Sequence, residues 1–108
     1  MNKIKKRKSA LSTIQIDNDC VRVTEYRFEP DEETKFHRHS WNYIVIPQTD
    51  GKLLLIDAEG KESESNLTAG ASYYREAGVE HNVINAGKGL LVFIEIEIKS
   101  SSEESIDV

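Results

Sequence analysis

Between Leu90 and Lys99 the chain reads LLVFIEIEIK, and its apolar and charged positions alternate with a period of two. In an extended backbone this puts Leu90, Val92, Ile94, Ile96 and Ile98 on one face and Glu95, Glu97 and Lys99 on the other. The segment CVRVTEYRFE (20–29) is rich in β-branched and aromatic residues and stops at Pro30. YIVIPQ and KLLLIDA flank Thr49-Asp50-Gly51, and Asp-Gly predicts a hairpin because glycine tolerates positive φ. Glu59-Gly60-Lys61 makes another turn into ESESNLTA. Ala69-Gly70 and Gly78 punctuate ASYYREAGVEHNVIN, and AGKG (86–89) leads into the last strand. No stretch carries a sustained apolar stripe at helical spacing. Short strands with turn signals about every 8–12 residues predict an all-β domain, a sandwich or a barrel.

Length and charge narrow the picture. At 108 residues, 38% apolar and 31% charged, the chain makes one domain around one core. Residues 11–99 hold the strand pattern and form that domain. Residues 1–10 read as a flexible basic arm, and residues 100–108 as a flexible acidic tail. The arm holds Lys3, Lys5, Lys6, Arg7 and Lys8, five of 14 basic residues. Basic arms suit phosphates. The rest of the chain, however, carries 9 basic against 19 acidic residues, a net of −10, and no aromatics interleave with the lysines. That body repels a nucleic-acid backbone, so no nucleic-acid partner is expected. No apolar run reaches the roughly 18 residues of a spanning helix, so no membrane partner is expected either. The basic start lacks the apolar segment of a signal peptide. The single Cys20 cannot form an intrachain disulfide, so a reducing, cytoplasmic location is expected. Cys20 itself reads as a small buried hydrophobe.

The chemistry starts at FHRHSWNYIVIPQTDG (36–51), which holds two of the three histidines. His37 and His39, two residues apart, point to one side of an extended strand, where their ring nitrogens can converge on one ion. The third, His81, lies in GASYYREAGVEHNVIN, where Gly70, Gly78, His81 and Asn85 follow one another at intervals of eight, three and four residues.

Together these two segments resemble the motifs of the cupins. The second cupin motif is a glycine, five residues, Pro-x-Gly, two residues, a histidine, three residues and an asparagine. Gly70, Gly78, His81 and Asn85 match it, with Glu76 in place of the proline. The first is His-x-His, three or four residues, a glutamate, then about six residues and a glycine; His37, His39 and Gly51 match it. The resemblance covers roughly residues 20–98. It implies a double-stranded β-helix (jelly-roll) barrel with His37, His39 and His81 converging inside one end. It also implies one divalent transition metal per chain, among Fe, Zn, Ni, Mn and Cu. The strings HRHSWNYIVIPQTDG and GVEHNVINAGKGLLVFIEIEIK are similar to a subgroup of small stand-alone cupins associated with amino-acid catabolism, including β-alanine degradation.

Where that family places its glutamate, this chain has Tyr43 or, one residue on, Ile44. Neither is a carboxylate, which implies a three-histidine centre. An ion without a carboxylate ligand keeps its full charge and favours an anionic or chelating small molecule. Tyr43 is the candidate catalytic residue, through a hydrogen bond to substrate or water, unless it merely packs. Asn42 and Glu76 are conceivable substitute ligands. Tyr26, Arg27, Trp41, Tyr74 and Arg75 are candidate substrate contacts, and Tyr73 a further acid–base candidate. Their plainer roles are packing for the aromatics and pairing with Glu25 or Glu76 for the arginines. Asn85 is expected to bond turn backbone.

Two functions follow. One is a metalloenzyme acting on a small anionic metabolite, by dioxygenase-type or Lewis-acid chemistry as a dioxygenase, isomerase or lyase. The other is a non-catalytic metal- or ligand-binding cupin. A homodimer is expected in both cases, because STIQI and LLVFIEIEIK are too long and apolar to stay unpaired as edges.

Overall fold

The computed structural model describes residues 6–99. Nine strands and no helix form among them: β1 (Leu11–Asp17), β2 (Val21–Phe28), β3 (His37–Arg38), β4 (Asn42–Pro47), β5 (Gly51–Asp57), β6 (Glu62–Leu67), β7 (Tyr73–Arg75), β8 (Glu80–Asn85) and β9 (Leu91–Ile98). Two antiparallel sheets result, one ordered β1-β2-β9-β4-β7 and the other β3-β8-β5-β6. This is the all-β jelly roll that the strand pattern and motifs anticipate. No helix among the described residues is long and apolar enough to cross a membrane. Met1–Lys5 of the basic arm and the whole tail lie outside the described residues. Farther along the arm, Lys8 O accepts from Glu33 N and Ala10 N donates to Glu33 O.

The core lies between the sheets and gathers Phe28, Tyr43, Val45, Leu53, Leu67, Val83, Leu91 and Phe93. Central strand β9 supplies two of these, but not on the face its isoleucines suggest. Val45 stands opposite Glu95, and Ile44 opposite Ile96. Leu91, Phe93 and Glu95 are buried, whereas Ile98 is exposed. The inner face of β9 thus runs Leu91, Phe93, Glu95, Glu97. The outer face forms a row across the sheet in which Ile16, Val23, Ile96, Ile44 and Tyr74 stand side by side. Apolar content alone cannot say which face of a strand goes inward; here the neighbours' register decides it.

Two expectations are corrected. Thr49-Asp50-Gly51 does not close a hairpin, because β4 and β5 belong to different sheets. Gly51 serves there for close approach: a Cβ on it would come within 2.5 Å of Leu91 Cδ1. Cys20 is exposed rather than buried, since it sits in the turn whose backbone N–H groups are capped by Asn18 Oδ1. Strands β5 and β6 do form a hairpin, where Asp57 Oδ1 accepts from the N–H groups of Glu59 and Lys61. Asn85 has its expected structural part. Its amide donates to Phe28 O and Gly89 O, and its oxygen accepts from Gly87 N.

Candidate metal centre

His37 stands directly opposite His81 across the β3–β8 pairing. His39 lies just beyond β3, held by backbone bonds to the turn that precedes His81. Its N–H donates to Val79 O at 2.9 Å, and its carbonyl accepts from Gly78 N at 2.8 Å. Gly78 has φ 100°, a conformation that a side chain would strain. The glycine of the second motif thereby fixes the second histidine of the first.

The rings converge. His39 Nε2 is 3.0 Å from His37 Nε2 and 3.3 Å from His81 Nε2. Two nitrogens bound to one ion at about 2.1 Å lie about 3.0 Å apart at a right angle and about 3.4 Å apart at the tetrahedral angle. These residues fit a divalent ion on that measure. His37 Nδ1 lies 2.9 Å from Lys35 O, a pure acceptor, so the proton sits on Nδ1 and Nε2 keeps a lone pair. Lys35 presents that carbonyl from a left-handed backbone, φ 80°, and its N–H donates to Asn82 Oδ1. Burial first, then the neighbouring His37 and Arg75, lowers His39 to about 4. Burial and the neighbouring His37, His39 and Arg75 lower His81 to about 3. Both rings are neutral at pH 7, the form that ligates.

Tyr43 sits at the centre without a polar role in view. Its ring stacks on His39, centroids 3.9 Å apart at 16°, and it belongs to the apolar core. Burial raises its hydroxyl, which stays protonated. Asn42 turns away to accept from Ala77 N. Glu76 is exposed in the turn.

The other candidates separate by face. Arg75 borders a cavity of about 20 Å³ together with Tyr43, Tyr73, His81, Phe93 and Glu95, which is room for about one water. It also borders an outer groove of about 300 Å³ over Leu55, Asp57, Lys61, Ser63, Val79 and His81. Tyr26 faces inward and packs on Phe28 and Phe93. Trp41 lies between the Arg22 and Lys99 cations, 5.3 and 5.5 Å away. Arg27 pairs with Glu25 at 3.7 Å, and Tyr74 is in register with Ile44 on the outer face. The fold does not bring Arg27 or Tyr74 to the histidines.

Two residues beside the histidines were not among the candidates. Glu95 and Glu97 each place a carboxylate oxygen within 4.8 Å of a His39 nitrogen and of one another. Glu95 Oε2 is 4.0 Å from His39 Nε2, with both side chains buried. Burial first, then Glu97, raises Glu95 to about 8. With His39 held neutral, this close pair is not an ion pair in the metal-free protein. Strand β9 thus places beside His39 two carboxylates that the glutamate position at residue 43 does not supply. The period of two in Phe93, Glu95 and Glu97 was the available signal, hidden by the more apolar opposite face.

The cupin domain description matches residues 24–97. The chain belongs to the cupin family. It is 54% identical over 93 residues to the β-alanine degradation protein BauB of Pseudomonas aeruginosa, covering 86% of this chain and 97% of that one. A cupin domain from Bordetella pertussis Tohama I has a crystal structure similar at TM-score 0.84 and 55% identity, covering 89% of this chain and 99% of that one. The polyketide cyclase RemF from Streptomyces resistomycificus shares the fold at TM-score 0.62 and 17% identity, over 93% of this cupin and 80% of that chain.

Proposed function

We propose that this cupin binds one divalent transition metal through His37, His39 and His81 and acts as an enzyme on a small metabolite at that centre. The convergence of three histidine Nε2 atoms at metal-donor spacing carries the reading. When bound, such an ion supplies Lewis acidity or, if it is iron, a redox centre; Fe, Zn, Ni, Mn and Cu all suit imidazole. The chain's own groups do the rest. Lys35 O holds the His37 tautomer, Tyr43 fixes the plane of His39, and apolar Leu55, Val83 and Phe93 wall the inner cavity. Arg75 and Lys61 in the outer groove supply the cations that would orient an anionic substrate beside His81. The likeness to BauB makes β-alanine breakdown the proposed setting.

The small inner cavity favours a second reading, in which the centre holds a metal or ligand without turnover. Metal analysis of protein purified without an affinity tag tests the site itself. About one equivalent is expected in the native chain, with loss on changing His37, His39 or His81 to Ala. A triple variant that kept its metal would overturn the assignment. Turnover of a small acid by metal-loaded protein, abolished by the same changes, then separates enzyme from binding module.

We also propose a homodimer in the cytoplasm. Strand β1 is exposed along its length, with Leu11, Ile14 and Ile16 at 60%, 57% and 48% exposure, and the apolar row on the outer face continues from it. Light scattering on the full chain and on a truncation starting near Asp19 tests this. A full-length monomer would refute the dimer, and a dimeric truncation would clear β1 of its part.

A further inference from the structure

The segment that leads into His37 is fixed from both sides. Asp31 N donates to Asn85 O and Thr34 N to Val83 O, at 2.8 and 2.9 Å. Glu33 N donates to Lys8 O and Glu33 O accepts from Ala10 N, at 3.0 and 2.8 Å. Backbone bonds thus hold residues 31–34 between the arm and β8. Lys35 comes next, and a side chain holds it. Its N–H donates to Asn82 Oδ1 at 2.9 Å, and Asn82 Nδ2 in turn donates to Glu33 Oε1 at 2.8 Å. Lys35 is not a glycine, yet its φ is 80°, a conformation that an L-residue keeps only where its surroundings enforce it. What the conformation delivers is a carbonyl. Lys35 O lies 2.9 Å from His37 Nδ1, and Thr34 Oγ1 donates to the same oxygen at 3.0 Å. The path from Asn82 to the His37 ring therefore runs through Lys35. Asn82 follows His81 in β8 and points to the opposite face of the sheet, so it acts on the centre without reaching an ion itself.

We infer that Asn82 is a positioning residue for the metal centre: through Lys35 it fixes the plane and tautomer of the His37 ring, leaving the Nε2 lone pair aimed at the ion. This rests on the metal-binding reading above and extends it to the outer face of the sheet. Strand β8 then contributes twice, with His81 as a ligand from one face and Asn82 as the support of a second ligand from the other.

The test reads the His37 ring directly. Ring 15N shifts of metal-free protein in mildly alkaline buffer report the tautomer, and Co(II) titration followed by absorption reports affinity and coordination geometry. The proteins compared are native, Asn82→Ala, Lys35→Gly and the double variant of these two changes. Native protein is expected to hold the Nδ1–H tautomer and to bind one Co(II). Asn82→Ala should admit the Nε2–H tautomer at His37, weaken Co(II) binding on the order of tenfold and shift its bands. Lys35→Gly keeps the carbonyl and the Asn82 bond and should stay near native. In the double variant glycine takes a positive φ without strain, so part of the lost affinity should return. A double variant no better than Asn82→Ala would mean that Asn82 does not act through Lys35. Thermal unfolding sets the working temperature well below every melting transition, so that lost stability alone moves neither readout. If Asn82→Ala does not fold, Glu33→Ala takes its place. It removes the acceptor that anchors the Asn82 amide and should move tautomer and affinity the same way by less; a native-like tautomer there would overturn the inference. So would a folded Asn82→Ala with native tautomer and native Co(II) affinity. Native protein that binds no Co(II), with the tautomer shift present in Asn82→Ala, would sink the metal reading and leave the positioning of His37 standing.

Discussion

Strand β9 passes through two interiors. At one end Leu91 and Phe93 meet Phe28, with the Phe28 and Phe93 rings 5.5 Å apart, in a wall of apolar side chains. Two residues on, the same inward face presents Glu95 and then Glu97 to His39. One strand with one periodicity serves packing at the first end and chemistry at the second. The first end is stable because apolar surface leaves water. The second keeps Glu95 and two histidines in the interior, and such a cluster of perturbed ionisable groups is the lining of a candidate site. Stability and function can therefore be disturbed separately.

The largest stability effect is expected at the packed end. Phe93→Ala should cost about 3–5 kcal/mol, a large share of the roughly 5–15 kcal/mol that holds a domain together. His81→Ala removes a half-buried ring from the other end and should fall in the ordinary range of about 0.5–3 kcal/mol. Denaturant unfolding of metal-stripped protein measures both. A His81→Ala loss equal to that of Phe93→Ala would mean that the histidine end is part of the scaffold, and the contrast would fail.

Much of this was legible in the sequence, and the illegible parts have physical causes. The two histidine segments located the centre because glycine turns and two-residue strand spacing are local rules, and both Gly78 and the His37–His81 pairing follow them. The strands were legible for the same reason. Their partners were not. Asp50-Gly51 carries a hairpin signal, yet β4 and β5 turn into different sheets, because Gly51 packs on Leu91, forty residues away. Glu95 was hidden by a non-local effect too. Ile94, Ile96 and Ile98 outweigh it in apolar character, and only the register against β2 and β4 sends them outward.

A medium effect separates the ends by pH in metal-free protein. His39 and His81 have folded values of about 4 and about 3 against an ordinary 6.5. Their contribution is present above pH 6.5 and is lost as pH falls through 4 and 3. Glu95 has the opposite sign. Its folded value of about 8 exceeds the ordinary 4.5, so its contribution is complete below pH 4.5 and lost as pH rises through 8. Between 4.5 and 6.5 two histidines oppose one glutamate, and the histidines win. Stability should therefore peak near pH 6.5, with limbs of at most about 1.4 kcal/mol per pH unit per proton. Glu95→Gln should flatten the alkaline limb and steepen the acid limb between about pH 4.5 and 6.5, where the glutamate had opposed the histidines. A native profile without an alkaline decline would mean that the glutamate is not held in a dry interior.

The smallest effect is expected where the two ends meet, at Tyr43. Its ring belongs to the apolar core and also stacks on His39, so most of its contribution is that of a flat hydrophobic plate. Tyr43→Phe keeps the plate and removes only the hydroxyl. Stability should change by no more than about 1 kcal/mol, the typical net worth of one hydrogen bond, and metal affinity should not change. Tyr43→Leu removes the plate and should do worse on both counts, because His39 loses the surface that fixes its plane. Denaturant unfolding and Mn(II) titration of the two variants make the comparison. Equal losses in both would place the hydroxyl, not the ring, in contact with the ion. Unchanged binding with lost turnover in Tyr43→Phe alone would give the hydroxyl a catalytic part.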